Sequence, residues 1–224
     1  MALPLKYSDD GLVPVVVQDH LTGQIRMVAY ANDEAITTTL ETGKGTFWSR
    51  SRGELWEKGS TSGHAIRVER VLVDCDADSL VYQGEPHGPT CHTGAASCFF
   101  RTLQDGEIQT RGEPPQTLLG TLEAVLESRK KSTGGVSYTK SLYDAGAHAI
   151  GAKLCEEAGE LSQAIAQESD ERVVSEAADT LYHLMVGLRW RAIPFRRVLA
   201  ELASRLSASG HEEKAQRSKP QAPR

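Results

Sequence analysis

Apolar positions recur in short runs through the first hundred residues and at helical spacing through the last hundred. Residues 12–17 form an apolar run interrupted by Pro14, and 25–30 form a second beyond the turn Leu21-Thr22-Gly23. Residues 46–49, 65–74 and 80–83 are further strand candidates, and 32–40 predicts a short helix stopped near Gly43. The texture changes over 104–116, where Gly106, Gly112, Pro114 and Pro115 mark a linker. Thr117 can then cap a helix with Leu118, Leu122, Val125 and Leu126 on one face. A second helix is expected over 141–167, with Ile150, Leu154, Leu161 and Ile165 as its stripe. A third follows Asp170, carrying Val174, Ala177, Leu181, Met185 and Leu188. Pro194 suits the first turn of a fourth, with Val198, Leu199, Leu202 and Leu206. The pattern predicts an N-terminal β-rich α+β domain over 1–112 and a C-terminal all-α helical bundle over 113–206. The small, polar stretch 207–224 is expected to be a mobile tail.

The chain has 224 residues, and at about 150 residues per domain that length allows one large domain or two small ones. Its 39% hydrophobic and 25% charged residues are those of a packed protein rather than a disordered one. No apolar run approaches the roughly 18 residues of a membrane span, and residues 1–10 lack a signal pattern. A cytoplasmic protein with no membrane partner is expected. Residues 1–112 carry 10 basic and 15 acidic side chains, and residues 113–224 carry 15 of each. No basic face or tail stands out, which argues against a nucleic-acid partner.

Charge and cysteine placement then point to metals. Asp74-Cys75-Asp76-Ala77-Asp78, read as a strand or its end, puts three aspartates on one face and Cys75 on the other. Three carboxylates on one face repel unless a cation lies among them, and Mg²⁺ is the obvious one; a solvated acidic turn is the alternative. Cys91 and Cys98, taken with Cys75, supply three thiolates, the set of a zinc site that keeps one position open, with His92 as a fourth ligand or a proton-transfer group. Buried free cysteines are the competing explanation. Zinc lowers the pKa of bound water to about 7, and the zinc base deaminases use this chemistry at a purine carbon. Their H-x-E and P-C-x-x-C signature is absent.

The first half carries Trp48-Ser49-Arg50-Ser51-Arg52, Leu55-Trp56, Lys58-Gly59, Thr61-Ser62-Gly63 and the Asp74–Asp78 run. Gly88-Pro89-Thr90-Cys91-His92-Thr93-Gly94 and Ser97-Cys98 follow. By these motifs residues 12–100 resemble the phosphoribosyl-AMP cyclohydrolases of histidine biosynthesis. The resemblance implies that Cys75, Cys91 and Cys98 bind Zn²⁺, with ligands drawn from both chains of a homodimer, and that Asp74, Asp76 and Asp78 bind Mg²⁺. It also implies hydrolytic opening of the adenine ring between N1 and C6 by zinc-bound water. Arg50, Arg52 and Lys58 are candidate phosphate contacts, because arginine matches phosphate oxygens bidentately; a solvated hairpin is the alternative. Trp48 and Trp56 can stack on a base or belong to the core.

On the second helix Glu157 and Glu160 stand at i and i+3, and Glu176 and Asp179 repeat the spacing on the third. Like charges so placed cost a few tenths of a kcal/mol per pair, so two such pairs suggest metal, although surface glutamates are common. Glu157 falls at the margin of its apolar stripe and Asp179 nearly opposite its own. Periodicity therefore does not unite the four; that needs the third helix to have partners on both sides, with another subunit among the candidate sources of them. The spacing is similar to that of the all-α, MazG-like nucleotide pyrophosphatases. With Arg129-Lys130, Ser137-Tyr138-Thr139, Lys153, Glu156 to Glu160, and Glu176 to His183, residues 117–206 more specifically resemble phosphoribosyl-ATP pyrophosphatase. This resemblance implies Mg²⁺ on Glu157, Glu160, Glu176 and Asp179, with Glu156 as a water-activating base and substrate contacts at Arg129, Lys130, Tyr138 and Lys153. His183 is expected to be a packed or surface histidine, and Cys155 has no argued role.

Together the resemblances imply a bifunctional enzyme acting on phosphoribosyl-ATP and then on phosphoribosyl-AMP. Two other readings stay open: a general nucleotide-pool pyrophosphatase in the helical half, and a zinc-stapled interaction protein.

Overall fold

The computed structural model describes residues 3–110, 117–132 and 137–206, and its chain separates into two compact units, 1–117 and 118–224. The tail expected over 207–224, the boundary expected at 112/113 and the 111–116 part of the linker lie outside the described residues.

In the first unit, strands β1 (Val13–Asp19), β2 (Ile25–Ala31), β3 (Thr46–Ser49), β4 (Glu54–Glu57), β5 (Ile66–Val73) and β6 (Leu80–Pro86) form one sheet. Its order is β4-β3-β2-β1-β6-β5. The β1–β6 pair is parallel and the other pairs are antiparallel. Strict alternation along β1 buries Val13, Val15, Val17 and Asp19. Pro14 does not interrupt the strand as expected. The ladder with β6 starts only at Val15–Leu80, so the missing N–H at Pro14 takes nothing from that pairing. Helix α1 (Asp33–Thr42) starts where the Asn32 side chain accepts from the Ala35 N–H at 2.9 Å and stops at Gly43 in the left-handed region. Its buried Ala35 and Ile36 join Phe47, Tyr82 and the valines of β1 in one core.

Two elements depart from the sequence expectation. Strand β4 was not anticipated, because four residues with acidic ends offer little alternation. The start of the expected linker is a hairpin, β7 (Thr102–Gln104) and β8 (Glu107–Gln109), turning at Asp105-Gly106 with φ of 53° and 79°. Asp-Gly with both φ positive is the turn that matches strand twist, a signal stronger than the loop-like composition around it.

The second unit holds α2 (Leu118–Lys131), α3 (Tyr138–Gln167), α4 (Asp170–Trp190) and α5 (Phe195–Leu206). Helix α3 begins three residues earlier than expected and breaks at Gly146 (φ 82°, ψ −171°), a conformation that favours glycine. Leu126, Tyr143, Ile150, Met185 and Val186 form the core. Ile165 and Val174, expected in apolar stripes, are exposed, so the far halves of α3 and α4 meet through other residues. Described α5 buries no residue fully.

Arg189 of α4 clamps α2 through Glu127 at 2.5 Å and Glu123 at 3.3 Å. Hydrogen bonds from Arg189 and Lys131 lower the Glu127 carboxyl from 4.5 to about 2. A depressed carboxyl adds stability above its unfolded value, and that stability is lost as the pH falls from 4.5 through about 2. Urea unfolding at a series of pH values should show the wild-type protein losing more stability across that window than Glu127→Gln. Equal slopes would show that the clamp contributes nothing.

Candidate active sites

The first unit carries a cleft of about 590 Å³ lined by Arg52, Trp56, Lys58, His64, Cys91, His92 and Cys98 among others. The loop bearing both cysteines turns back on itself: the Cys91 N–H donates to Ala95 O at 3.0 Å and the Gly94 N–H to Cys91 O at 3.1 Å. Its far end is tied to β2, where Cys98 N–H donates to Arg26 O and the Ser97 hydroxyl to Ile25 O, both at 2.8 Å. The Arg26 guanidinium, nearly buried, donates to Ala96 O at 3.1 Å and pairs with fully buried Asp19 at 2.7 Å.

This tethering leaves the two thiols in contact with one another and unequal. Burial raises Cys91, but the Thr93 hydroxyl at 3.2 Å, the Thr93 and His92 backbone and Cys98 outweigh it and bring the thiol below its ordinary value. Burial, reinforced by neighbouring Cys91, pushes Cys98 up to about 11. Lys58 is pulled down by burial, against the two sulfurs beside it, and donates to His64 O at 3.1 Å. His92 is exposed, with Nδ1 3.9 Å from Cys91 Sγ.

Of the expected substrate contacts here, Arg52 and Lys58 line the cleft. Trp48 and Arg50 do not: Trp48 pairs with Tyr30 across β3 and β2, and the Arg50 guanidinium lies 3.8 Å over the Tyr30 ring. Cys75 is not among the cleft residues. Among the described residues, Cys91 and Cys98 have no third Cys, His, Asp or Glu ligand atom at the spacing of a single ion. Two soft thiol donors side by side fit zinc, but one chain completes only part of the set.

Asp74, Asp76 and Asp78 do converge, with ligand atoms all within 4.8 Å. The cause is not the strand alternation expected. β5 ends at Val73, and a turn with Ala77 at φ 64° brings the carboxylates together. Asp74 accepts N–H bonds from Asp78 and Ser79 at 3.0 and 3.1 Å, which hold its carboxyl below the ordinary range despite partial desolvation. Cys75 does not stand clear of the aspartates either, since its sulfur is 4.0 Å from Asp76 Oδ1. Three convergent exposed carboxylates fit a hard divalent ion.

In the second unit, α3 and α4 bring Glu157, Glu176 and Asp179 within 4.8 Å in a single chain, and Glu160 neighbours Glu176. Glu157, Glu176 and Asp179 therefore meet without a partner from another subunit, a source that periodicity left open. Glu157 and Glu176 are buried where the two helices meet, positions that a count of apolar residues leaves off the packed face. Lys153 lies 2.8 Å from Glu157 and 3.0 Å from Glu156, and Arg172 lies 2.7 Å from Glu176. Burial raises the Glu176 carboxyl, Arg172 opposes that, and Glu160 and Asp179 add to it. Glu176 Oε2 is buried with no hydrogen-bond donor among the described residues, as a metal-ligating oxygen would be. The set fits Mg²⁺. Glu156, half exposed, borders the cluster through Lys153. Arg129 donates to Thr139 and Tyr182, each at 3.0 Å, and Lys130 donates to Arg189 O and Trp190 O at the end of α4.

Residues 27–100 match the phosphoribosyl-AMP cyclohydrolase family, and residues 119–206 match phosphoribosyl-ATP pyrophosphohydrolase. Proteins named histidine biosynthesis bifunctional protein HisIE align along most of the chain. The Wolinella succinogenes protein is 40% identical over 92% of this chain and 93% of its own length. That of Thermus thermophilus is 44% identical over 82% and 84%, and that of Aquifex aeolicus 40% over 91% and 98%. The chain belongs to the bifunctional HisIE family. Its two units are hydrolases, a cyclohydrolase followed by a pyrophosphohydrolase. No described helix of this HisIE member is long and apolar enough to cross a membrane.

Sequence reasoning passed over His64, which lines the cyclohydrolase cleft and offers its carbonyl to Lys58. Its signal was indirect. Gly88 has φ 94°, and a Cβ there would meet His64 Nδ1 at 2.4 Å, so the Gly88-Pro89 corner closes over this ring. Asp19 and Arg26 were also missed, because ion pairing inside a strand hairpin leaves no mark on hydrophobic periodicity.

In metal-free protein, Cys91 should lose its proton before Cys98, the one below the ordinary thiol value of 9.0 and the other at about 11. Labelling cysteine Cβ with ¹³C and following the shifts with pH reads each site. Coincident titrations would contradict the asymmetry.

Proposed function

We propose that the helical unit hydrolyses phosphoribosyl-ATP to phosphoribosyl-AMP and pyrophosphate, and that the first unit opens the adenine ring of phosphoribosyl-AMP between N1 and C6. The observation that carries the reading is the separation of two donor sets in one chain: adjacent thiols in a cleft, and convergent buried carboxylates between two helices.

In the helical unit Glu157, Glu160, Glu176 and Asp179 would hold Mg²⁺, which neutralises charge on a leaving pyrophosphate and orients water. Lys153, held by Glu157 and Glu156, puts a cation at the edge of the cluster, where the phosphates of a nucleotide would arrive. Glu156 shares that lysine and is placed to take a proton from water at the rim. Arg129 braces Thr139 and Tyr182 behind Tyr138, while Lys130 closes the end of α4.

In the first unit Cys91 and Cys98 would hold Zn²⁺, which supplies water with a pKa lowered to about 7. Cys75 lies apart from them and, in the proposed homodimer, reaches the partner's cleft. Asp74, Asp76 and Asp78 would hold Mg²⁺ on the loop next to it. Arg52 and Lys58 bring positive charge to the cleft for a phosphate, and exposed His92 beside Cys91 is placed to carry a proton. Trp56 presents a ring to the same cleft on which a base can stack. A cytoplasmic location follows from this metabolic role.

Product analysis of phosphoribosyl-ATP tests both halves. A zinc-selective chelator should stall the reaction at phosphoribosyl-AMP, and omission of Mg²⁺ should leave the triphosphate intact. Glu157→Gln should slow pyrophosphate release by on the order of 100-fold, and Cys91→Ser should lose zinc and ring opening together. Cleavage of the triphosphate without any divalent metal would sink the carboxylate assignment. Faster turnover of dATP or dCTP than of phosphoribosyl-ATP would favour a nucleotide-pool enzyme.

A further inference from the structure

His183 is buried on α4 and has no task in the scheme above. Its ring nitrogens nevertheless have distinct partners. Nδ1 lies 2.9 Å from the backbone oxygen of Asp179, and Nε2 lies 3.1 Å from the Tyr138 hydroxyl. A carbonyl oxygen only accepts, so the Nδ1 contact places a proton on that nitrogen. In the neutral ring Nε2 is then an acceptor, and Tyr138 must donate to it. Nδ1 is also 3.8 Å from Glu157 Oε1, so the ring lies against two members of the carboxylate set.

The backbone explains why such a tie is needed. Tyr138 begins α3, whereas Glu157 follows the Gly146 break in the same helix. Helical continuity therefore does not fix one against the other. Across the break the Tyr138 and His183 rings meet edge to face, 6.0 Å apart at 84°. Next to them Thr139 and Tyr182 share a 2.6 Å hydrogen bond that Arg129 braces. Tyr138 remains half exposed, with Lys153, Glu157 and Glu156 as its charged neighbours.

We infer that His183 is a positioning residue: its Nδ1–H form holds the proton of Tyr138 and leaves the exposed side of the phenol oxygen only lone pairs to offer. An oxygen so committed accepts a hydrogen bond and repels a phosphate oxygen. Tyr138 then contacts an O–H donor at the rim of the carboxylate site, either the water used in hydrolysis or a sugar hydroxyl of the nucleotide, and not the triphosphate. This inference rests on the proposal that the carboxylate set is the pyrophosphohydrolase site.

Nitrogen-15 NMR of the histidine rings in the metal-free full chain tests the hydrogen bonding without substrate. The neutral His183 ring should be protonated at Nδ1 and bare at Nε2. Tyr138→Phe should shift the Nε2 signal and leave the proton on Nδ1. A proton on Nε2 of that neutral ring overturns the inference. In the metal-loaded protein Tyr138→Phe and His183→Leu should each reduce kcat/KM for phosphoribosyl-ATP about tenfold, the effect of one hydrogen bond to a reacting group. The double variant should be no worse than either. His183→Gln, which keeps an acceptor for the phenol, should recover most of the loss. A fall in kcat identifies water as the donor, and a rise in KM identifies the sugar hydroxyl. Unchanged kinetics in Tyr138→Phe, or additive losses in the double variant, overturn the inference. If Glu157→Gln retains full cleavage, the site assignment fails instead, and the NMR result still decides the role of His183. Should His183→Leu not fold, the tautomer and Tyr138→Phe measurements stand without it.

Discussion

A carboxylate taken out of water must find a cation or a proton, and among the described residues Asp19, Glu157 and Glu176 are buried beside the candidate sites. Asp19 is fully buried on β1, paired with Arg26 of β2. The same guanidinium reaches Ala96 O, and the Arg26 carbonyl receives the Cys98 N–H. The need of the sheet to neutralise one side chain thus also sets where the cysteine loop lies. Breaking such a pair by deleting one partner costs about 3–5 kcal/mol, because the remaining charge is stranded. In the helical unit, buried Glu157 and Glu176 each take a cation from one turn earlier on their own helix, Lys153 and Arg172. Local pairing of this kind allows α3 and α4 to approach with acidic residues face to face.

Those cations also bear on metal binding. A divalent ion entering between Glu157, Glu176 and Asp179 must compete with Lys153 and Arg172 for the same oxygens. An ion that wins leaves two long basic side chains free at the rim, next to where an anionic substrate would lie. Glu176 shows the opposing demands most plainly. One oxygen is held by Arg172, while the other is buried without a donor among the described residues.

The fold was legible wherever burial follows a simple period. Short apolar runs located β1 and β2, 46–49 was a further strand candidate, and Asn32 and Gly43 marked the ends of α1 by their hydrogen-bonding and backbone preferences. Legibility failed where another rule governs. Strand β4 was too short to show a period, and Asp105-Gly106 made a hairpin inside a segment whose composition reads as linker. The metal-ligand candidates show the same division. Membership of the aspartate set was readable, but its geometry comes from a turn with Ala77 at φ 64°, which residue types alone do not disclose. The helical carboxylates were identifiable by spacing. Their convergence was not, because a helical wheel assigns charged residues to solvent, whereas here Glu157 and Glu176 lie at the helix–helix contact.

Donor chemistry is what lets one chain keep two hydrolytic sites distinct. Thiolates suit a borderline-soft ion such as zinc, whereas carboxylate sets without sulfur or imidazole suit hard ions that keep much of their water. On the proposed assignment the cleft would recruit its metal through Cys91 and Cys98, and the helical pair would recruit its own through four acids, without either set needing to exclude the other's ion by size. Cys75 complicates the first site in an informative way. It lies on the loop that joins edge strand β5 to β6, two residues after Val73, which is exposed like Leu72. The start of that edge is bonded to residues 43–45, through Val68 N–H to Gly43 O and Gly45 N–H to Ile66 O. Its far end carries the exposed apolar pair, a feature that natural sheets cover with another element. In the proposed dimer the partner covers that edge, and the third thiolate arrives with the same contact. Zinc loading and subunit association would then be one equilibrium, while the carboxylate set, whose Glu157, Glu176 and Asp179 meet within a single chain, would need neither.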